Sequence, residues 1–356
     1  MTSANQDGEA QVVMITGGAG FIGANLAHHL LSAGHTVRVL DDLSRTGVHR
    51  NLVWLRAQHG SRLDIRIADI RDRPAVLHAL RGAKAVFHFA GQTAATASFA
   101  EPRHDFSVNA SGTLEVLEAL RDVPEPPPLV FASTYKVYGG LSDVKLRLDD
   151  SRWCPVDSSL SQHGIDERRP LQLRTPHGCS KGAADQYVLD YAQNFQIPAV
   201  VFRMSCIYGP RQHGTEGQGW LAHFLSCAID DVPIKVYGDG HQVRDVLYVD
   251  DLIDALVRAW TQIEGVRGRA FNIGGGPLNT LSVFELLEMI ELLRRRRPKA
   301  VFAPTRDGDQ RYYVSDTRAF QVATGWRPRI APSAGVEALH GWLVEQAASS
   351  REPRHA

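Results

Sequence analysis

Short apolar runs that end in glycine or in an acid set the rhythm of the first two hundred residues. Val12 to Thr16 is such a run, and glycines follow it at once. A buried parallel strand reads this way, because both of its faces are covered and no polar alternation survives. A helix is predicted from Ala24 to Ala33 on Leu26, Leu30 and Leu31, stopped by Gly34-His35. A second strand is predicted from Thr36 to Leu40, ending in Asp41-Asp42. Further strands are predicted at Leu63 to Ala68, Ala85 to Ala90, Leu129 to Ser133 and Pro198 to Phe202. Helices at Arg73 to Leu80, Asp105 to Leu120 and about 177–195 lie between them. Val108, Leu114, Leu117 and Leu120 recur at helical spacing. Such alternation implies an α/β fold, a doubly wound parallel sheet of the Rossmann type.

After residue 205 the rhythm changes to short apolar segments separated by Gly and Asp. The segments 206–245 and 277–345 read as a smaller α/β lobe that binds substrate. Val246 to Trp260 and Ala270 to Gly276 return to the first domain, which then comprises 11–205 plus 246–276. Residues 1–10 read as a disordered tail and 346–356 as a C-terminal tail, disordered from Ser349. Residues 140–172 are rich in charge, Ser and Pro, an irregular stretch of a length that usually serves function. Pro124 to Pro128 is a stiff loop, and there are no internal repeats.

Composition narrows the function. The chain carries 39 basic and 39 acidic residues, a balance that argues against nucleic acid or a membrane surface as partner. Arg294 to Arg297 is a basic cluster placed where a helix should end, suiting the helix dipole. Cys154, Cys179, Cys206 and Cys227 form no CxxC pair and read as reduced thiols of a cytoplasmic protein, Cys179 as a small buried residue. The histidines show no metal-ligand spacing, so no metal is expected. No apolar run is long enough to span a bilayer.

The turn Gly17-Gly18-Ala19-Gly20-Phe21-Ile22-Gly23 stands between a strand and a helix, with an acid about twenty residues on. That context turns a weak glycine pattern into the dinucleotide fingerprint. Gly17 permits the tight turn, Gly20 lets the backbone approach a pyrophosphate, and Gly23 lets helix and strand pack. Phe21 and Ile22 open the helix whose positive end faces the phosphates. Asp41 would accept from the adenosine ribose hydroxyls and repel a 2′-phosphate. Asp42, Ser44 and Arg45 follow it; Arg45 raises NADP, but two successive acids favour NAD. Asp69 and Ile70 fall where an adenine edge could be read, and Ala90 and Gln92 fall at a strand's carboxyl end.

The stretch Arg174 to Tyr187 reads as a helix start, with Pro176 in the first turn. His177 and Lys181 share a face four residues apart, and small residues around them would admit another backbone or a flat ligand. A general base beside a lysine is one reading; an ordinary helix start with an exposed His and Lys is the other.

TGGAGFIG at 16–23, STYKVYG at 133–139, GCSKGAADQYVLDYA at 178–192, YGPRQ at 208–212 and QGW at 218–220 are similar to the extended short-chain dehydrogenase/reductase family. GDGHQVRDVL at 238–247, FNIGG at 271–275 and DQR at 309–311 complete the set. The resemblance spans nearly the whole chain and is nearest the CDP-tyvelose (CDP-paratose) 2-epimerases. It implies a nucleotide-sugar substrate and tightly held NAD, with hydride removed at sugar C2 and returned to the other face. It also implies that Lys181 binds the nicotinamide ribose and that Thr134 hydrogen-bonds the reacting oxygen. His177 stands where the family has its tyrosine base, Tyr135 where the subfamily favours Asn, and Met204 where closer relatives carry His. A neutral imidazole can also accept a proton, and the Tyr135 phenol is a second candidate base.

Three readings stay open: a nucleotide-sugar epimerase using His177; a diverged enzyme of secondary metabolism that oxidises, decarboxylates or dehydrates a glycosylated substrate; and a non-redox NAD-binding protein. Carried over as substrate contacts are Arg244 and Arg311 for a diphosphate, with Gln218, Trp220 and Tyr237 around sugar and base. Arg244 paired with Asp245, and Trp220 as core, are the structural alternatives. By analogy with relatives, helices at about 105–120 and 180–195 would form a homodimer interface.

Overall fold

The computed structural model describes residues 11–351; the expectations for 1–10 and 352–356 lie outside the described residues. The first half alternates as its apolar runs require. β1 (Val12–Thr16) leads to α1 (Phe21–Ser32), β2 (Thr36–Asp41), α2 (Val48–His59), β3 (Leu63–Ile67), α3 (Arg73–Leu80) and β4 (Ala85–His88). Then come α4 (Ala95–Ala100), α5 (Pro102–Phe106), a π-helical stretch at Ser107–Ser111, α6 (Gly112–Arg121) and β5 (Leu129–Thr134). The segment expected to be irregular instead holds a hairpin, β6 (Leu146–Asp149) with β7 (Arg152–Pro155), and α7 (Ser158–His163). α8 (Thr175–Asn194) and β8 (Ala199–Met204) follow.

The second half runs β9 (Cys206–Tyr208), α9 (Trp220–Ile229), β10 (Ile234–Tyr237), β11 (Val243–Tyr248), α10 (Val249–Thr261) and α11 (Ile263–Val266). It continues with β12 (Ala270–Ile273), β13 (Thr280–Ser282), α12 (Val283–Arg294), β14 (Ala300–Ala303), β15 (Tyr312–Tyr313), α13 (Arg318–Thr324) and α14 (Pro332–Arg351). The last helix corrects the expected tail from 346: its backbone stays helical to Arg351.

Seven parallel strands make the main sheet, in the order β12-β8-β5-β4-β1-β2-β3. From β1 the chain moves outward to β2 and β3, then returns past β1 to β4 and continues the other way. That reversal opens a crevice at the carboxyl ends of β1 and β4, where ligands of such sheets lie. β11 pairs with β9, β13 and β15, and β10 with β14, outside this sheet. α10 packs against α1 and β5, and β12 extends the main sheet beside β8.

A buried polar network fixes α8 against the sheet. Arg203 on β8 grips Asp185 of α8 with two hydrogen bonds of 2.9 Å. Ser133 at the end of β5 donates to the same carboxylate at 2.7 Å. Tyr138 accepts from Arg203 at 3.2 Å and donates to Asn272 of β12 at 2.7 Å. Charges buried this deeply persist only when fully paired, so the rotation of α8, and of Lys181 one turn before Asp185, is set by the sheet. Among the described residues no helix is long and apolar enough to cross a membrane.

Candidate active site

The glycine turn meets the requirements of a phosphate cradle. Gly17 has φ +66°, and a Cβ there would lie 2.7 Å from the backbone nitrogen of Ala90. At Gly23 a Cβ would run into the Gly17 carbonyl and come within 2.6 Å of Gly18 Cα. α1 therefore presses onto the turn only through glycine. Among the described residues no side chain caps the first turn of α1, so its positive end is open to an anion. Asp41 closes the turn, accepting from Ala19 N at 3.0 Å and Leu43 N at 2.9 Å; burial pushes its carboxyl up against those bonds. Asp42 is occupied by Ser44, and Arg45 reaches across to Thr93 at 3.1 Å. At the end of β4, Gln92 keeps a buried Oε1 without a partner among the described residues. A glycine cradle, an acid at the second strand and an orphaned acceptor fit a dinucleotide.

Asp69 and Ile70 behave differently from each other. Asp69 is half-buried and bound by Arg71 at 2.5 Å. Ile70 is buried, packed where a Cβ on Gly112 would strike it. Its side chain belongs to the core, so only its backbone is placed to read a ligand edge.

The crevice deepens into a cavity of about 760 Å³. Phe21 and Ile22 enter it from the glycine turn, Thr134 and Tyr135 from the end of β5, and His177 and Lys181 from α8. Thr175 begins α8 at φ +65°, a strained backbone for a β-branched residue that costs of order 1–3 kcal/mol. Its hydroxyl accepts from Gly178 N at 3.1 Å and so steadies the turn before His177. Gly178 lets this turn approach the Lys136 carbonyl, which a Cβ would meet at 3.3 Å. Gly182 in turn leaves room for the Leu173 side chain, while Cys179 is exposed rather than buried.

His177 is buried, its backbone N–H donating to Ser98 Oγ at 3.2 Å. The Lys181 ammonium lies 4.4 Å from the centre of the Phe131 ring. Burial brings it down to about 8, against the pull of Asp185 and Asp105. Tyr135 is a poor base here: burial pushes its phenol up, and its hydroxyl faces Arg244 Nε at 3.4 Å.

The far wall of the cavity is charged. Arg244 pairs with Asp309 at 3.0 Å rather than with Asp245, whose carboxylate accepts from Ser205 and Gly276. Burial alone would raise Asp309, but Lys136 and Arg244 outweigh it and hold the carboxyl below its usual range. Arg306 lies 3.6 Å above the Tyr237 ring, whose hydroxyl binds Glu216. Gln218, Trp220 and Met204 also line the cavity, and Trp220 presents a buried Nε1 with no partner among the described residues. Arg311 does not reach it: the residue is exposed and its guanidinium lies 5.0 Å over Trp153.

Three neighbours of the site carried no local signal. Asp105 and Asn109, on successive turns around the π-helical stretch, meet Ser180 beneath α8. His88 bridges Thr16 and Thr113 at 2.6 and 2.9 Å. Lys136 and Asp309, by contrast, stand inside the motifs YKVYG and DQR.

A model for the NAD dependent epimerase/dehydratase family matches residues 13–274. The CDP-paratose 2-epimerase of Salmonella typhi is 39% identical over 337 residues, 93% of this chain and 98% of its own. The Thermus thermophilus UDP-glucose 4-epimerase, solved as a complex with NAD, is 29% identical with a TM-score of 0.78, covering 94% of this chain and 99% of that one. The Bacillus cereus UDP-glucuronic acid 4-epimerase, in complex with UDP-glucuronic acid and NAD, reaches a TM-score of 0.82 at 24% identity, covering 94% and 100%, a likeness of fold. Fold, cofactor cradle and a family match over most of the chain agree: this protein belongs to the NAD dependent epimerase/dehydratase family.

Proposed function

We propose that this protein inverts a nucleotide-linked sugar, with a CDP-sugar epimerised at C2 as the preferred substrate, through a keto-sugar intermediate. The reading is carried by one juxtaposition: Thr134, His177 and Lys181 line the same cavity that Phe21 and Ile22 enter from the glycine turn. When bound, NAD supplies a hydride acceptor that becomes the donor on return. Gly17, Gly20, the start of α1 and Asp41 would hold its adenosine and diphosphate, and Lys181 its nicotinamide ribose.

His177, as neutral imidazole, takes the proton of the sugar hydroxyl, and Thr134 hydrogen-bonds the same oxygen. The Lys181 cation offsets negative charge as it develops there. Arg244, anchored on Asp309, meets the diphosphate. Trp220, Gln218 and Tyr237 enclose sugar and base. The 39% identity to the CDP-paratose 2-epimerase favours the nucleotide and the carbon. We place the protein in the cytosol on its four free cysteines. A homodimer through α5, α6 and α8 is supported by exposed Phe106, Tyr187 and Phe195 on that face.

The test is to denature the purified protein, identify the released nucleotide, and incubate intact enzyme with CDP-, UDP-, GDP- and dTDP-sugars. Transient reduced-cofactor absorbance with inversion at C2 is expected for a CDP-sugar. No hydride transfer with any of the four sinks the reading. Full activity in His177→Ala removes His177 as base, and His177→Tyr asks whether a phenol serves in its place.

A further inference from the structure

Behind His177 lies a carboxylate that the reaction described so far does not use. Asp105 sits on α5 and is fully buried. Its Oδ2 accepts the Ser180 hydroxyl, and its Oδ1 accepts Asn109 Nδ2 at 3.2 Å. His177 Nδ1 is 3.7 Å from that Oδ1, an ion-pair separation. The nitrogen is buried and has no hydrogen-bond partner among the described residues. Leaving it unmatched costs on the order of 1–3 kcal/mol, whereas a carboxylate has about four lone-pair sites to offer. A movement of about 0.8 Å brings the two atoms within hydrogen-bond distance.

We propose that Asp105 is a positioning residue for His177. Its carboxylate holds the imidazole as the Nδ1–H tautomer, leaves Nε2 to the cavity, and stabilises the imidazolium formed when Nε2 takes the substrate proton. The inference rests on His177 being the base. The step is a proton transfer only: the sugar O–H bond breaks, the Nε2–H bond forms, and Asp105 stays ionised. The proton goes back to oxygen when the sugar is re-formed.

The charges around His177 decide the balance. Lys181, one helical turn on, opposes a positive ring, Lys136 is held by Asp309 at 3.3 Å, and Ser98 on α4 and Ser180 are neutral. Asp105 is the carboxylate set against the ring. Burial alone would raise it, but His177, Ser180 and Asn109 together hold it below the usual carboxylate range. The same carboxylate behind a phenolate would repel the charge a tyrosine base needs; behind an imidazole it favours the charge that forms. The histidine at 177 and the acid at 105 thus make one device, the base-and-orienter half of a nucleophile-free triad.

The holoenzyme is tested with the sugar nucleotide it turns over. Asp105→Asn is expected to lower kcat by about 10²- to 10⁴-fold with KM little changed and NAD content intact. It is also expected to move the acid limb of kcat/KM to lower pH, because an amide no longer favours the imidazolium. Asp105→Glu should restore part of the rate. Wild-type kcat and pH profile in Asp105→Asn, beside an inactive His177→Ala, overturns the positioning role alone; a fully active His177→Ala overturns the base assignment beneath it. Should Asp105→Asn fail to fold, nitrogen-15 NMR of the wild-type histidines decides: an Nδ1–H tautomer at His177 supports the proposal, and Nε2–H overturns it.

Discussion

Acid should unfasten the junction between β1, β4 and α6 through one residue, His88. The ring is fully buried, its Nδ1 2.6 Å from Thr16 Oγ and its Nε2 2.9 Å from Thr113 Oγ. Thr113 spends its hydroxyl proton on the Asn109 carbonyl at 2.6 Å. It can therefore only accept from the ring, so Nε2 carries the hydrogen. Thr16 accepts from Ala90 N at 3.2 Å and gives its own proton to Nδ1. Each link in this chain holds one proton, and a second proton on the ring would set two donors face to face.

Burial, and after it the charge of Lys181, brings His88 down to about 3 from its ordinary 6.5. The unfolded chain therefore binds the extra proton first. Stability from this residue is complete above about pH 6.5 and is lost as pH falls toward 3. From pH 7 to pH 5 the loss is about 2 kcal/mol, from one unit of pKa difference being worth about 1.4 kcal/mol. Urea unfolding followed by tryptophan fluorescence at both pH values, at fixed NAD concentration, measures it. His88→Gln begins less stable, but its stability should fall by about 2 kcal/mol less over the same interval. Carboxylates contribute to both proteins and cancel in the difference. Equal slopes in wild type and variant refute the reasoning.

The Arg203–Asp185 pair gives a second test. Arg203→Met and Asp185→Asn should each cost about 3–5 kcal/mol in urea unfolding, and the double variant less than their sum; additive losses refute the coupling. For the substrate wall, Arg244→Met should raise KM about 10- to 100-fold with NAD content unchanged. Arg311→Ala, whose side chain lies over Trp153, should leave KM within about twofold. The opposite order refutes the assignment of Arg244.

The cofactor half of the site was readable because its demands are local. Gly17 needs a left-handed turn, Gly23 a missing Cβ, and Asp41 a place at the end of β2; each demand selects a residue type at a set spacing. The hairpin Leu146–Asp149 with Arg152–Pro155 escaped because two four-residue strands, with Pro155 the one buried residue, carry too little apolar alternation. The placement of Arg311 could not be read locally: the turn at Gly308, φ +72°, brings Asp309 to the cavity while the chain carries Arg311 out to Trp153.

Position 177 shows the limit most clearly. Sequence marks it, since Lys181 follows at one helical turn and a known motif surrounds both. What an imidazole can do there depends on Asp105, 72 residues earlier, and on Ser180 and Asn109, which hold that carboxylate ionised. No spacing rule links α5 to α8; the juxtaposition comes from packing around the π-helical stretch. A tyrosine in this setting would have to become an anion close to a buried anion. A histidine becomes a cation there, which the carboxylate favours and Lys181 opposes. The replacement at 177 is therefore a change in the sign of the charge the site must hold, and Asp105 is the part of the fold that makes that sign tolerable.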